Sequence, residues 1–328
     1  MPRRDEFDLI ADLFAPLAGR HPAALNLADD AAVLPPPAEG QHTVVSVDTI
    51  VGGVHFLPDD PPDLVARKAL RVNLSDMAAM GAEPVGVFLS VALSAAEDDA
   101  WMDRFIVGLD HDLGAYGVGL MGGDTVSTPG PASFTITILG QVPPGAYLSR
   151  AGGRVGDDLW VSGTLGDSAL GLRVLTGTLT LSDKAASDFL CDRYRVPRPR
   201  VDLGLALRGV ATAALDVSDG LAGDLRHLCR ASACGARIET ARLPLSDATR
   251  YCIESDPALA DIALTGGDDY ELLFSAPPDQ AALVDDIAER LTVPLTRIGC
   301  LEGGNGVTVL SGDGGSRLLE SFGWRHGW

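Results

Sequence analysis

Lysine is nearly absent from this chain: Lys68 and Lys184 are the only two among 328 residues. Ala follows each of them, so no Gly-Lys-Ser/Thr phosphate loop exists. No His-Arg-Asp triplet occurs either, which removes the protein-kinase set. Positive charge is scarce in general, with 25 Lys and Arg against 45 Asp and Glu and a net charge of -20. Nucleic-acid binding needs a basic stripe to neutralise phosphates, and none is available. The five cysteines, Cys191, Cys229, Cys234, Cys252 and Cys300, form no CxxC pair. An odd number without zinc spacing argues against a disulfide framework and a zinc site, so reduced thiols are expected. No run approaches the ~18–20 apolar residues of a membrane span. The opening Met-Pro-Arg-Arg-Asp-Glu-Phe-Asp is charged and lacks the apolar core of a signal peptide. The expectation is a soluble cytoplasmic protein.

What is abundant is aspartate, with 35 Asp against 10 Glu. Most must form a solvated surface, but several could gather around a hard cation, which prefers oxygen ligands. Hydrophobic residues make up 46% of the chain, enough for a sizeable core, and the length suits two domains.

Periodicity predicts helices over 5–18, 63–80, 98–116, 164–175, 183–193, 200–213, 221–233 and 278–291. It predicts strands over 43–50, 85–93, 133–142, 158–162, 214–217, 236–240, 270–276, 296–301 and 306–310. Asp63, after two prolines, reads as a helix cap. A boundary falls near 145–152, where Pro, Gly and Arg concentrate, giving domains 1–148 and 149–328. Gly117, Gly119 and Gly122 match GxGxxG, but a helix precedes them and Thr-Val-Ser-Thr-Pro-Gly-Pro follows. A dinucleotide fold needs the reverse order, strand then helix.

One pattern recurs: Asp beside glycine or another Asp, at the edge of an apolar segment. It includes Asp29-Asp30, Ser46-Val47-Asp48, Asn73-Leu74-Ser75-Asp76 and Gly122-Gly123-Asp124, the last read as the opening of a loop. It returns in Asp216-Val217-Ser218-Asp219-Gly220 and in Gly266-Gly267-Asp268-Asp269-Tyr270-Glu271. On a helix, Ala66, Ala69, Asn73 and Asp76 form one stripe beside Leu70, Leu74 and Met77. A carboxylate there needs a partner, which a magnesium ion or an arginine would supply. Phosphoryl transfer suits such a pattern, because it needs positioning and charge neutralisation more than covalent help. Glycines at 122–123 would let backbone approach phosphate closely. Lys68 reads either as a helix-surface residue or as one facing phosphate.

These segments, in this order, resemble the thiamine-monophosphate kinase family, in the aminoimidazole ribonucleotide synthetase-like (PurM-like) superfamily. Lys68-Ala-Leu-Arg-Val-Asn73-Leu-Ser-Asp76-Met-Ala-Ala-Met-Gly81-Ala and Gly166-Asp167-Ser168-Ala add to the match, which runs from about residue 7 to about 325. The resemblance implies an α+β fold of two domains. The N-terminal domain would bind ATP and magnesium, pairing its sheet with that of a second subunit into a dimer-interface barrel. The C-terminal α/β sandwich domain would complete the active site. It also implies direct, in-line transfer of the γ-phosphoryl group from ATP to thiamine monophosphate, with no phosphoenzyme. Carried over by motif, Asp30, Ser46, Asp48, Asp76, Asp124, Asp216 and Asp219 would bind several Mg²⁺ ions. Gly123, Asp124, Arg150 and Ser218 would contact ATP, while His55, Asp268 and Trp324 would contact thiamine monophosphate. The chain departs from the family pattern at Ala28, Val47 and Asp268, where Gly, a hydroxyl residue and Glu are common. The alternatives are a sister ATP- and magnesium-dependent enzyme of the superfamily or a non-catalytic acidic metal-binding protein. Selenophosphate synthetase would carry a reactive Cys or selenocysteine near its N-terminus, and the first cysteine here is Cys191.

Overall fold

The computed structural model describes residues 6–27, 31–312 and 315–319. They fall into two compact units divided between Gly145 and Ala146, with Ala78–Gly81 belonging to the second. The first unit opens with a helical segment, α1 (Glu6–Leu9), a π turn (Ile10–Phe14) and α2 (Ala15–Ala18), followed by 3-10 turns (Pro22–Leu27). Then come β1 (His42–Val51), α3 (Pro62–Ala79), β2 (Glu83–Leu93), α4 (Asp99–Tyr116), β3 (Gly119–Ser127) and β4 (Ser133–Val142). The four strands make one sheet in the order β1-β4-β2-β3, parallel only between β2 and β3.

Alternation along β4 buries Phe134, Ile136 and Ile138 and leaves the residues between them half-exposed. Phe134 stacks on Trp101 and Phe105 of α4, at 5.6 and 4.6 Å between ring centroids. Leu70, Leu74 and Met77 of α3 are fully buried, as the apolar stripe required. Asp63 lies in the first turn of α3, and its carboxylate pairs with Arg104 at 2.7 Å. Asp112 is buried on α4. Burial alone would raise its carboxyl, but hydrogen bonds from Arg71 and the nearby Arg67 hold it below the usual carboxylate range.

β3 corrects the sequence reading, which made Gly122–Thr125 a loop. Gly117 adopts φ 64° and caps α4, and the strand starts two residues later. The helix–glycine–strand order rules the dinucleotide fingerprint out.

The second unit runs β5 (Asp158–Ser162), α5 (Asp167–Leu175), α6 (Lys184–Arg195), α7 (Val201–Ala206), β6 (Ala213–Asp216), α8 (Leu221–Ala231) and β7 (Gly235–Glu239). It continues with α9 (Asp247–Ser255), α10 (Ile262–Thr265), β8 (Leu272–Ala276), α11 (Ala281–Leu291), β9 (Leu295–Glu302), β10 (Gly306–Leu310) and β11 (Ser316–Leu318). The sheet order is β11-β10-β7-β9-β5-β8-β6. Leu159 and Val161 face a core shared with Leu221, Leu225 and Leu228 of α8. Trp160, between them, packs with Phe274, Leu203, Leu207, Val284 and Ile287, the last four from α7, its C-terminal cap and α11. Helices therefore cover both faces, which is why β5, β6 and β8 are buried without alternation. The elements α9, α10, β3 and β11 were not read from the sequence. No helix among the described residues is long and apolar enough to cross a membrane, and the five cysteines are unbridged.

Candidate functional site

In the first unit, Ser46 and Asp48 alternate with exposed valines along β1, so both turn toward the helix-covered face. The Ser46 hydroxyl donates to the Asp76 carboxylate on α3 at 2.5 Å. One helical turn earlier, the Asn73 side-chain oxygen accepts the Asp48 N–H at 3.1 Å, while its amide donates to the Ala69 carbonyl. Ala66 and Ala69, on the same stripe of α3, are both buried. Three sequence-predicted groups, Ser46, Asp48 and Asp76, thus share one junction. Lys68 on the same helix is buried at 2% exposure, not a surface residue. His55 sits in the turn after β1, where its Nδ1 accepts the Val51 N–H at 3.0 Å. With Nδ1 accepting, a neutral ring carries its proton on Nε2.

Gly123 and Asp124 lie on β3, at the other edge of the sheet. By register, Asp48 shares a row with Ile136 and Leu89 under the helices. Asp124 shares its row with Ser90, Thr135 and Thr49 on the opposite face. Within this unit the structure does not bring Asp124 to Asp48. A Cβ on Gly123 would meet the Leu89 carbonyl oxygen at 1.9 Å, so pairing with β2 already demands this glycine. Beside β3 a cleft of about 500 Å³ is lined by Phe14, Ala24, Leu27, Phe88 and Met121 and by the strand from Gly122 to Thr125. Its walls are apolar with a polar strand edge at one side, a surface suited to a flat ligand. Asp30 lies outside the described residues.

In the second unit, two loops lie against each other. Asp216 ends β6, and Ser218, Asp219 and Gly220 lead into α8. The other loop runs from Gly266 to Glu271 before β8. Val217 N–H donates to the Glu271 carbonyl at 2.8 Å, Tyr270 N–H to the Val217 carbonyl at 2.9 Å, and Asp268 N–H to the Ser218 carbonyl at 2.8 Å. Asp268 and Tyr270 adopt φ 68° and 51°, uncommon for residues other than glycine. A Cβ on Gly267 would meet the Ser218 carbonyl oxygen at 2.5 Å, so only glycine admits this approach. Arg150 is exposed, and its carbonyl accepts the Ser232 hydroxyl at 2.9 Å. Arg150, Arg226 and Arg230 lie near His227, whose ring is kept below its ordinary pKa by partial burial first and these charges second.

Three acidic residues that the sequence reading left without a role hold these loops. Asp224, in the first turn of α8, accepts the N–H groups of Ser218, Asp219 and Gly220 on one oxygen, at 3.1, 3.0 and 3.1 Å. Burial, followed by the neighbouring Asp216 and Asp219, raises its carboxyl to about 7. Asp269 turns inward to accept the N–H groups of Gly166 and Ser168 at 2.6 and 3.2 Å, capping α5. Full burial outweighs those bonds and the nearby Arg193, raising its carboxyl to about 8. Glu271 is clamped by Arg200 at 2.6 and 2.7 Å, Arg193 at 3.0 Å and the Ser162 hydroxyl at 2.6 Å. The Gly166-Asp167-Ser168 and Gly266–Glu271 segments are thus parts of one construction. Trp324 lies outside the described residues.

Among the described residues, no three His, Cys, Asp or Glu side chains stand together as a ready-made metal cage. Magnesium does not require one, because it keeps several waters and takes one or two carboxylates plus substrate phosphates. The Ser46–Asp76 contact and the crowding of Asp216 and Asp219 against Asp224 bring oxygen donors together, which suits such an ion.

The raised Asp269 carboxyl has a consequence for stability. Its folded value exceeds its unfolded one, so the folded chain holds a proton that unfolding releases between about pH 4 and 8. That contribution is complete at the acid end and is lost as pH rises. The Asp269→Asn variant lacks the group, so its Tm minus that of the native chain should grow steadily from pH 4 to 8 in parallel scans. A difference that stays flat would contradict the burial effect.

Comparison with known proteins agrees with this architecture. Residues 28–142 match the family model described as AIR synthase related protein, N-terminal domain, and residues 154–311 match its C-terminal domain. The thiamine-monophosphate kinase of Escherichia coli strain K12 is 47% identical over 296 residues, covering 90% of this chain and 89% of that protein. The crystal structure of thiamine-monophosphate kinase from Stenotrophomonas maltophilia K279a is 43% identical, covers 94% of this chain and 96% of its own, and superposes with a TM-score of 0.84. AaThiL complexed with AMPPCP and TMP is 30% identical, covers 98% and 96%, and has a TM-score of 0.77. With both halves matched by the family models and this identity spread over nearly its whole length, the chain belongs to the thiamine-monophosphate kinase family of AIR synthase related proteins.

Proposed function

We propose that the chain transfers the γ-phosphoryl group of ATP directly, in line, to thiamine monophosphate, giving thiamine diphosphate and ADP. The observation that carries this reading is the 47% identity to a thiamine-monophosphate kinase across 90% of the chain. The neighbour holding AMPPCP and TMP together supports both substrates.

Two anionic phosphates must meet, and this acidic chain has few cations with which to bring them together. Magnesium ions, when bound, would neutralise phosphate oxygens and align them for attack. Asp30, Ser46, Asp48, Asp76 and Asp124 in the first unit, and Asp216 and Asp219 in the second, are the proposed ligands. Arg150 offers a planar guanidinium to phosphate oxygens. Ser218 has its N–H committed to Asp224 and its carbonyl to Asp268, so its hydroxyl is the group left for ATP. Gly123 contributes strand backbone beside the cleft. His55 contacts the thiamine phosphate. Asp268 complements the cationic thiazolium or the amino group of thiamine, and the Trp324 indole stacks on a ring. No side chain is required as a nucleophile, because the acceptor phosphate attacks directly. The cytoplasm, which supplies ATP, is the proposed location.

A homodimer belongs to the same proposal. The outer face of the four-stranded sheet exposes Val45 at 59%, Val47 at 58% and Val126 at 48%. Rows of apolar side chains on an open sheet face mark a contact surface, and a second copy of this sheet is the proposed partner. Light scattering should find the native chain dimeric and Val45→Asp monomeric but folded. A Val45→Asp variant that stays dimeric would remove this face from the interface.

The metal assignment has its own test. Asp48→Asn and Asp124→Asn each remove a charge while keeping shape. Each should lower kcat/KM by about 100-fold or more with Tm almost unchanged. Near-native turnover in both variants would sink the assignment.

A further inference from the structure

We propose that Asp224 is a positioning residue for phosphoryl transfer: its carboxylate fixes the backbone of Ser218–Gly220 and, through the paired loop, that of Asp268. The proposal rests on the kinase reading above and adds to it a residue that touches neither substrate. Asp224 is 6% exposed, and one of its oxygens gathers three consecutive N–H groups. Three donors on one oxygen call for an ionisable acceptor, and a carboxylate bonds them more strongly than an amide could. The bonds bend the chain inward at its backbone, so the Ser218 hydroxyl and the Asp219 carboxylate are what this loop has left to present. Asp224 N–H donates in turn to the Gly220 carbonyl at 3.0 Å, tying the loop to the first turn of α8.

The fixed loop carries its neighbour. Ser218 receives the Asp268 N–H, and Val217 exchanges bonds with Tyr270 and Glu271. Asp268 and Tyr270 hold positive φ angles, which persist only where surrounding bonds enforce them. The far side of that loop is anchored by Asp269 on α5 and by Glu271 between Arg193 and Arg200. The near side has the ladder to 217–218, and Asp224 stands behind that ladder. The proposed ATP contact Ser218 and the proposed acceptor contact Asp268 are therefore set by one support. A residue that only capped α8 would affect stability alone.

The test is Asp224→Asn in the full chain, with steady-state kinetics for both substrates and Tm measured alongside. The folded variant should lose about 10- to 100-fold in kcat, as misplaced reacting groups do, and KM for ATP and for thiamine monophosphate should rise together. Native kcat and KM values in a folded variant, or a lowered Tm with unchanged kinetics, would overturn the proposal. If the variant does not fold, hydrogen exchange on the native chain decides. The Ser218, Asp219 and Gly220 amides should exchange as slowly as those of β8, and exchange at open-loop rates would overturn the proposal. The exchange measurement uses no substrate. Absence of product from the native chain would therefore count against the kinase reading, and unprotected amides against Asp224.

Discussion

The candidate site depends on backbone hydrogen bonds between two loops that carry carboxylates. Asp216, Asp219 and Asp268 carry the same sign of charge as the phosphates they are proposed to serve, so their loops need supports that do not depend on the ligand. The chain solves this with the ladder between 217–218 and 268–271 and with acids turned away from the ligand side. Asp224 takes three amides, Asp269 caps α5, and Glu271 sits between the buried Arg193 and the half-buried Arg200. A buried ion pair such as Glu271 with Arg193 contributes little net stability against an apolar core, but removing one partner leaves the other stranded. Their value here is that each loop has one arrangement.

The first unit uses a different device for the same problem. A strand and a helix, both rigid, bring Ser46, Asp48, Asn73 and Asp76 together, with a hydroxyl and an amide as the intervening donors. Asp124 stands on the far edge and on the opposite face of the same sheet. Among the described residues, the proposed ligands of the first unit are therefore split between two places, and no ready-made cage of three acidic groups occurs there.

Much of this was legible in the sequence. The alternating β-branched run of β1, the apolar stripe of α3 and the turn residues around Asp216 and Gly266 each follow from local rules, and their elements lie within a few residues of where periodicity placed them. The Asn73–Asp76 stripe called for a magnesium ion or an arginine as partner, whereas the contact found is the Ser46 hydroxyl, which spacing alone could not name. β3 was misread because glycines and hydroxyl residues weaken its strand signal, and its pairing with β2 is a tertiary fact. Its Gly123 was read as room for phosphate, whereas the strand pairing itself requires it. Asp224 was passed over because an acidic residue in the first turn of a helix is ordinary. Only the loop folding back onto it reveals its role. The division of labour among Asp268, Asp269 and Glu271 was equally hidden, since sequence shows three acids in a row of four and not which way each turns.

Everything proposed for these carboxylates serves one reaction, the transfer of phosphate from ATP to thiamine monophosphate. The most direct measurement incubates the chain with ATP labelled at the γ-phosphate, Mg²⁺, and either thiamine monophosphate or free thiamine, then separates the products. Label should appear in thiamine diphosphate, matched one to one by ADP, with the monophosphate alone as acceptor. Label in a product of free thiamine, or ADP released without labelled thiamine diphosphate from a folded chain, would contradict it.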